Sequence, residues 1–329
     1  MQIKNLNLTN SNIVYILCAL FVVFIDVIFK INYADIGDRI NYLYQLKNFQ
    51  DYIVTEQGFF GLLNFEIVWA FLLGILYFLF HDFGENIPFR IIIFCSVFIF
   101  LKAFKKRTNS NNLPILILFS PAVISFYIVK IRHGLGTALF AKLTTLKKLS
   151  HKVILGFIIS SIHNSFISII PLYFLGEFIK KKVVNIYSRL IVIFSTFIVG
   201  IIIGRSFESI MILLNVRQAE YLIEVLENVP PGGGLYKMFL LITLGLLVIC
   251  PCKNRDSFSI QFFSATILGM TITSVNAGRL LDTCVPFLIS ELIIVDTIKN
   301  KYLKTSIVFL FSTVFLYGGY LNLNGGLFP

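Results

Sequence analysis

Eleven apolar segments of 14 to 27 residues follow one another along the chain. A helix that crosses a bilayer needs about 20 mostly apolar residues, and the 329-residue chain is 57% hydrophobic and 14% charged. No stretch remains for a soluble enzyme domain, a nucleotide-binding fold or a nucleic-acid module. We therefore predict an all-α polytopic integral membrane protein with about 10–12 membrane helices, re-entrant elements included, in a single transmembrane domain over residues 1–329. The segments are 13–30, 61–81, 88–104, 113–130, 134–147, 153–179, 187–204, 236–251, 258–275, 279–298 and 304–321.

Basic residues are concentrated in five turns between these segments. Seventeen of the 28 Lys and Arg residues lie in stretches that contain no acidic residue: 102–107, 142–152, 180–189, 253–255 and 299–304. Turns of this kind are typical of the cytoplasmic side of a membrane protein. Topology thus explains the net charge of +11, and we expect the phospholipid bilayer, and no nucleic acid, as a partner.

Two longer polar stretches, 31–60 and 205–235, hold eight of the 17 acidic residues and are expected as outer loops. If 31–60 lies outside and 102–107 inside, one of the two apolar segments between them does not cross. We expect 61–81 to be that re-entrant or interfacial element. Segment 153–179 has basic residues at both ends, so it is either one long tilted span or a hairpin that turns back near His163.

Three arginines stand apart from the lysine-rich turns: Arg132, Arg205 and Arg279 each lie at the opposite end of an apolar segment, close to a glycine. A guanidinium group binds phosphate oxygens in a bidentate manner. We expect the adjacent glycines to let a bulky anion approach the backbone. The alternative is that all three are snorkelling interfacial arginines; together they favour an outward-facing anion site.

Two other features suggest chemistry. His163 is an ionisable residue inside an apolar segment, which is a site hypothesis by default; the alternative is a neutral imidazole that bonds to a neighbouring Ser or Asn. Asp38, Asn41 and Tyr42 share one face of a short helix and could bind sugar hydroxyls, although Asp38 and Arg39 also fit an N-cap and a surface pair. No metal-ligand spacing occurs, so we predict neither a metal nor a cofactor.

Several short runs, taken in order, resemble a known family. They are Gly37-Asp38 with Tyr42, Glu56-Gln57-Gly58-Phe59, Ile131-Arg132-His133-Gly134-Leu135, His163-Asn164-Ser165 and the late Arg279-Leu280. In this order and spacing the chain resembles the EpsG-like polysaccharide polymerases, which are akin to the Wzy-type O-antigen polymerases. The resemblance covers residues 35 to 290.

The resemblance implies a polymerase that joins undecaprenyl-diphosphate-linked oligosaccharide repeat units into O-antigen or capsular polysaccharide. The growing glycan is transferred from its diphosphate lipid to an acceptor sugar hydroxyl without a metal. It also implies a GT-C-like architecture, a chain-length regulator protein as a partner, and a place in the bacterial inner membrane with the active site facing the periplasm or the outside.

Residue roles follow from this reading. Arg132, Arg279 and Arg205 are expected to bind the diphosphate, because a leaving group that gains negative charge needs preorganised cations. The candidates for the catalytic base are His163, Asp38 and Glu56, and the substrate-binding candidates are Asn41, Tyr42 and His133. Two alternatives remain open: a lipid-linked glycosyltransferase or O-antigen ligase, and a lipid-linked oligosaccharide flippase, although no internal repeat of the transporter kind is seen.

Overall fold

The computed structural model describes residues 10–30, 39, 42, 67–84, 86–183, 185–213, 241–245, 257–274 and 278–294, and every regular element among them is helical. The helices are α1 (Asn10–Val23), α2 (Ile25–Ile28), α3 (Ile67–Phe80), α4 (Ile87–Thr108), α5 (Leu113–Leu118), α6 (Pro121–Ile128), α7 (Ile131–Thr144), α8 (Leu149–Ser160), α9 (Ser165–Ile179), α10 (Ile186–Leu213), α11 (Ser257–Thr273) and α12 (Gly278–Ile294). A 3₁₀ turn, His81–Phe83, lies between α3 and α4.

The chain packs as two compact units. Unit 1 comprises residues 1–56, 67–119 and 123–162, and unit 2 comprises residues 57–66, 120–122 and 163–329. The single transmembrane domain expected from the sequence stays a prediction. The predicted outer loop 31–60 lies outside the described residues except at Arg39 and Tyr42, and the first part of 205–235 continues helix α10 to Leu213.

In unit 1, helix α4 is the axis against which other helices pack. Lys105 Nζ donates to Ser11 Oγ at 2.8 Å, so α1 begins beside the end of α4. Arg90 pairs with Asp26 at 3.1 Å, so the segment that follows α1 lies beside the start of α4. The helices α1 and α4 are therefore antiparallel. We call the end that carries Lys105 the basic end of unit 1.

Helix α7 runs parallel to α4 but is shorter. Lys106 Nζ donates to the Thr145 carbonyl at 3.1 Å, so both helices end at the basic end. This agrees with the prediction that the basic turns 102–107 and 142–152 lie on the same side. Counted back at 1.5 Å per residue, α4 rises about 28 Å to Ile87, and α7 rises about 20 Å to Arg132. Arg132 therefore lies about 9 Å below the start of α4 along the helix axes.

Helix α3 has 14 residues and is therefore about 21 Å long. Its Trp69 ring lies 5.5 Å from the Tyr42 ring, which is 6.1 Å from the ring of Phe89 in the first turn of α4. Its other end joins α4 through the 3₁₀ turn. Both ends of α3 therefore lie near the start of α4, in agreement with the re-entrant or interfacial element expected in 61–81.

In unit 2, helix α11 is the central element, because every residue from Ser257 to Thr271 is buried. Helix α10 lies parallel to it: Arg189 Nη2 donates to Gln261 Oε1 at 2.7 Å near the starts of both helices, and Thr273 Oγ1 donates to the Ile201 carbonyl at 3.0 Å near the end of α11. Both helices follow a basic stretch of the sequence. We call the end where they begin the basic end of unit 2.

Glycines bring these two helices into backbone contact. A Cβ atom on Gly200 would meet the carbonyl oxygen of Thr266, and one on Gly269 would meet the carbonyl oxygen of Phe197. Small residues four apart allow helices to approach this closely inside a membrane. Gly200 and Gly204 of α10 form such a pair.

Helices α9 and α12 run the other way. Gly176, near the end of α9, packs against Ser259 near the start of α11. Helix α12 begins four residues after Ser274 and returns along α11, with the Phe263 and Phe287 rings 6.3 Å apart. Both helices therefore end at the basic end of unit 2.

The chain from 153 to 179 is not one long helix. Helix α8 ends at Ser160 and α9 begins at Ser165. One continuous helix over this segment is therefore ruled out. The interruption contains His163, which is where the hairpin alternative places its turn.

Two described helical segments, Ile87–Thr108 and Ile186–Ser206, are long and apolar enough to cross a membrane, and other apolar helices are shorter. The structure agrees with an all-helical membrane protein; the GT-C-like arrangement stays a prediction.

Candidate anion-binding site

The best-defined part of the predicted site is the contact between Arg132 and Tyr42 in unit 1. Arg132 Nε donates to the Tyr42 hydroxyl at 3.2 Å, and its guanidinium carbon lies 4.9 Å from the centre of the same ring. Tyr42 is 1% exposed, whereas Arg132 is half-buried. A buried tyrosine thus orients a partly accessible guanidinium group, by a charged hydrogen bond and a cation–π contact.

A second arginine, Arg39, lies three residues before Tyr42 in the chain and contacts the chain four residues before Arg132. Arg39 Nε donates to the carbonyl oxygen of Ile128 at 2.9 Å. Arg39 and Tyr42 are both helical and three residues apart, so they share a face. Arg39 is only 1% exposed, which contradicts the surface pair with Asp38 considered above. Its guanidinium is a second buried positive charge on the face that carries Tyr42.

Gly134 lets the first turn of helix α7, which carries Arg132, pack closely against Phe126 and Tyr127. A Cβ atom on Gly134 would lie 2.9 Å from both the carbonyl oxygen of Phe126 and a ring carbon of Tyr127. Gly204, next to Arg205, is packed in the same way against Met270 of α11. The expectation that these glycines let an anion approach the backbone is therefore wrong for Gly134 and Gly204, because both are buried in helix contacts.

The end of unit 1 that holds Arg132 also contains an ion pair that was not predicted from the sequence. Arg90 pairs with Asp26, with side chains 20% and 5% exposed, and its guanidinium lies 5.0 Å from the Phe24 ring centre. The sequence could have predicted this pair, because Asp26 and Arg90 are isolated charged residues in two apolar segments. Inside a membrane such charges usually partner each other.

Arg205 and Arg279 lie at one end of unit 2. Arg205 follows Gly204, which contacts Met270 in the last turn of α11, and Arg205 is exposed. Arg279 is the second residue of α12, which begins just after α11 ends. Both positions therefore lie at the end of unit 2 that is opposite its basic end. This is the end where the sequence predicts Arg205 and Arg279.

His163 belongs to the same end. Gly176 of α9 is level with Ser259 of α11, and His163 lies thirteen residues before Gly176. Because α9 and α11 are antiparallel, His163 is level with the last turn of α11. Unit 2 thus brings His163, Arg205 and Arg279 to one level along α11.

The hydrogen bond of His163 determines what its imidazole can do. The backbone N–H of Ser165 donates to His163 Nδ1 at 3.2 Å, at the start of α9. A neutral imidazole that accepts at Nδ1 carries its proton on Nε2. In this state Nε2 is a donor, so His163 is suited to support a developing negative charge rather than to remove a proton.

The remaining predicted residues have different outcomes. His133 is 3% exposed and packs edge-to-face on Phe126 at 4.7 Å, so it lies in the core of unit 1. Asp38, Asn41 and Glu56 lie outside the described residues, and their roles stay predictions. Among the described residues, no group of three or more His, Cys, Asp or Glu side chains is placed to hold a metal ion.

Comparison with known proteins gives one family. The model of the EpsG family matches residues 15–329. No curated protein and no solved structure matches the chain.

Proposed function

The chain belongs to the EpsG family, and from this premise we propose that it is a membrane glycosyltransferase that polymerises undecaprenyl-diphosphate-linked oligosaccharide repeat units. The observation that carries the proposal is the half-buried guanidinium of Arg132, held by Tyr42, which lies three residues after the buried Arg39, at the end of unit 1 that is opposite the basic end. The positive-inside rule assigns that end to the outer side of the membrane.

The reaction needs cations where this site has them. An acceptor hydroxyl oxygen forms a bond to the anomeric carbon of the donor glycan. The bond from that carbon to the lipid diphosphate breaks, and the diphosphate leaves with additional negative charge. Arginines already oriented before reaction stabilise this charge without reorganising, and they do so more strongly away from bulk water.

Each residue then has a distinct task. Arg132 binds the leaving diphosphate, Tyr42 orients Arg132, and Arg39 adds positive potential. In unit 2, Arg279 and Arg205 are the predicted diphosphate ligands, and the Nε2–H of His163 is a further donor at their level along α11. The proton of the acceptor hydroxyl goes to a carboxylate of the outer stretch 31–60, for which Asp38 and Glu56 are the candidates.

The test is turnover by the purified chain in lipid nanodiscs, supplied with its native lipid-linked repeat unit. Gel ladders measure polymer length, and released undecaprenyl diphosphate measures turnover. Arg132→Ala should lower the turnover rate about 10²–10³-fold, the usual loss for one preorganised donor to a developing anion. Arg132→Lys should recover only part of it, because lysine lacks the planar fork.

The matched control is Lys148→Ala, which removes an exposed cation at the basic end of unit 1 and should leave turnover unchanged. Normal ladders with Arg132→Ala at wild-type expression would refute the proposal. A single glycan addition would instead identify a ligase or a lipid-linked glycosyltransferase. Movement of intact donor across the bilayer without diphosphate release would identify a flippase.

A further inference from the structure

A cleft of about 590 Å³ lies at the basic end of unit 1 and is distinct from the site around Arg132. All six lining residues can donate hydrogen bonds, three of them carry a positive charge, and none is acidic. They are Lys102, Lys105, Lys106, Asn109, Ser110 and Asn111.

The cleft is formed where α4 stops. The helix ends at Thr108, and Asn109 takes a left-handed conformation with φ of 50°, which asparagine tolerates better than most residues. The chain then turns back, so the polar turn faces the last turns of α4. Lys102, Lys105 and Lys106 lie three and four residues apart and therefore share one face of the helix.

Like charges at this spacing repel each other. Lys105 Nζ donates to the Ser11 hydroxyl, and Lys106 Nζ donates to a carbonyl oxygen. Neither contact neutralises a charge, so the cleft keeps a net positive potential. A bound anion would offset the repulsion, and the phosphate group matches a set of ammonium, amide and hydroxyl donors.

The cleft continues into an apolar stripe on the same helix. Phe94 and Phe98 stack with ring centres 6.3 Å apart and planes only 6° apart, and Lys102 Nζ lies 4.5 Å from the centre of the Phe98 ring. Helix α4 is one of the two described segments that are long enough to cross a membrane. An acyl chain can follow the two rings while its headgroup reaches the lysines.

We propose that this cleft binds the phosphate headgroup of one anionic phospholipid, with an acyl chain along Phe94 and Phe98. Basic pockets at the cytoplasmic ends of membrane helices bind such headgroups. The positive cleft discriminates against zwitterionic lipids, because their own ammonium group is repelled by the lysines. The stripe favours a lipid over a soluble phosphate, which has nothing to place on the rings.

The experiment is native mass spectrometry of the whole chain, purified into detergent with phosphatidylglycerol or with phosphatidylcholine. We expect one phosphatidylglycerol to be retained per chain and phosphatidylcholine to be lost. The double variant Lys102→Gln with Lys106→Gln should lower retention about 30-fold, from two lost surface cations. Lys102→Gln alone provides a milder variant with a smaller loss in the same direction.

The matched control is Lys147→Gln with Lys148→Gln, which removes two exposed charges at the same end of unit 1, away from the cleft lining. The control should retain the lipid as the wild type does. Equal loss in both double variants would overturn the proposal in favour of general surface charge. Equal retention of both lipids, or displacement of phosphatidylglycerol by millimolar inorganic phosphate, would also overturn it, the latter in favour of a soluble phosphate.

Discussion

The Tyr42 hydroxyl should control turnover through Arg132, and the substitution Tyr42→Phe isolates this contribution. It removes the hydroxyl that accepts from Arg132 Nε at 3.2 Å but keeps the ring, 4.9 Å from the guanidinium carbon. A hydrogen bond to a charged group contributes about 1.5–3 kcal/mol. Because Tyr42 is 1% exposed, water does not readily replace the hydroxyl.

A loss near 2 kcal/mol corresponds to a fall of about 30-fold in kcat/KM. The assay is the initial rate of undecaprenyl diphosphate release in nanodiscs. Tyr42→Ala should be slower still, because it also removes a cation–π contact of about 0.5–2 kcal/mol. In the Arg132→Ala background, Tyr42→Phe should change the rate less than about twofold, since the guanidinium that the hydroxyl orients is gone.

The matched control is Tyr127→Phe, another tyrosine that is 1% exposed in unit 1. Its hydroxyl has no hydrogen-bond partner among the described residues, so turnover should not fall. A 30-fold loss from Tyr42→Phe that persists without Arg132 would refute the reasoning. It would mean that the hydroxyl acts on the substrate directly.

Other changes test the helix packing, the ion pair of unit 1 and the role of His163. Gly204→Ala should lower the stability of the protein by about 1–3 kcal/mol in thermal unfolding, because the new methyl group overlaps the α11 backbone, whereas Gly245→Ala, which meets nothing within 4 Å, should be neutral. Arg90→Ala should cost about 2 kcal/mol by leaving the Asp26 carboxylate buried without its guanidinium partner, and the double variant with Asp26→Asn should recover part of that loss; a double variant no more stable than the single would contradict this. His163→Asn should keep the melting temperature, because asparagine also caps helices, and His163→Ala should lose about 1 kcal/mol. Since His163 acts as a donor in this account, His163→Asn should retain measurable turnover, and complete loss at normal stability would assign it the role of base.

Much of the fold could be predicted because membrane helices follow composition and charge. The basic turns 102–107 and 142–152 meet at one end of unit 1, as their lysines predict. Counting crossings between charged turns also gave an element in 61–81 that does not cross, which stays a prediction, and left open a hairpin near His163, where the structure has a helix interruption. The agreement at the basic turns arises because hydropathy and lysine placement act locally along the chain.

The site itself was harder to predict, because it depends on contacts between distant parts of the chain. Tyr42 and Arg132 are 90 residues apart, and nothing local in the sequence pairs them. Arg39 follows Asp38 directly and therefore resembled half of a surface pair, although burial gives it a different role. Gly134 resembled an anion-binding glycine, but its space is taken by a helix contact that sequence spacing does not show.

The central claim is that the Arg132 guanidinium binds the diphosphate of the donor lipid. Equilibrium binding of undecaprenyl diphosphate to the chain in phosphatidylcholine nanodiscs tests it without requiring the sugar substrate. We predict that Arg132→Ala weakens binding by at least about 10-fold, as for the loss of a charge-assisted hydrogen bond, and that Lys148→Ala leaves it unchanged. Equal affinity of the wild type and Arg132→Ala would contradict the account.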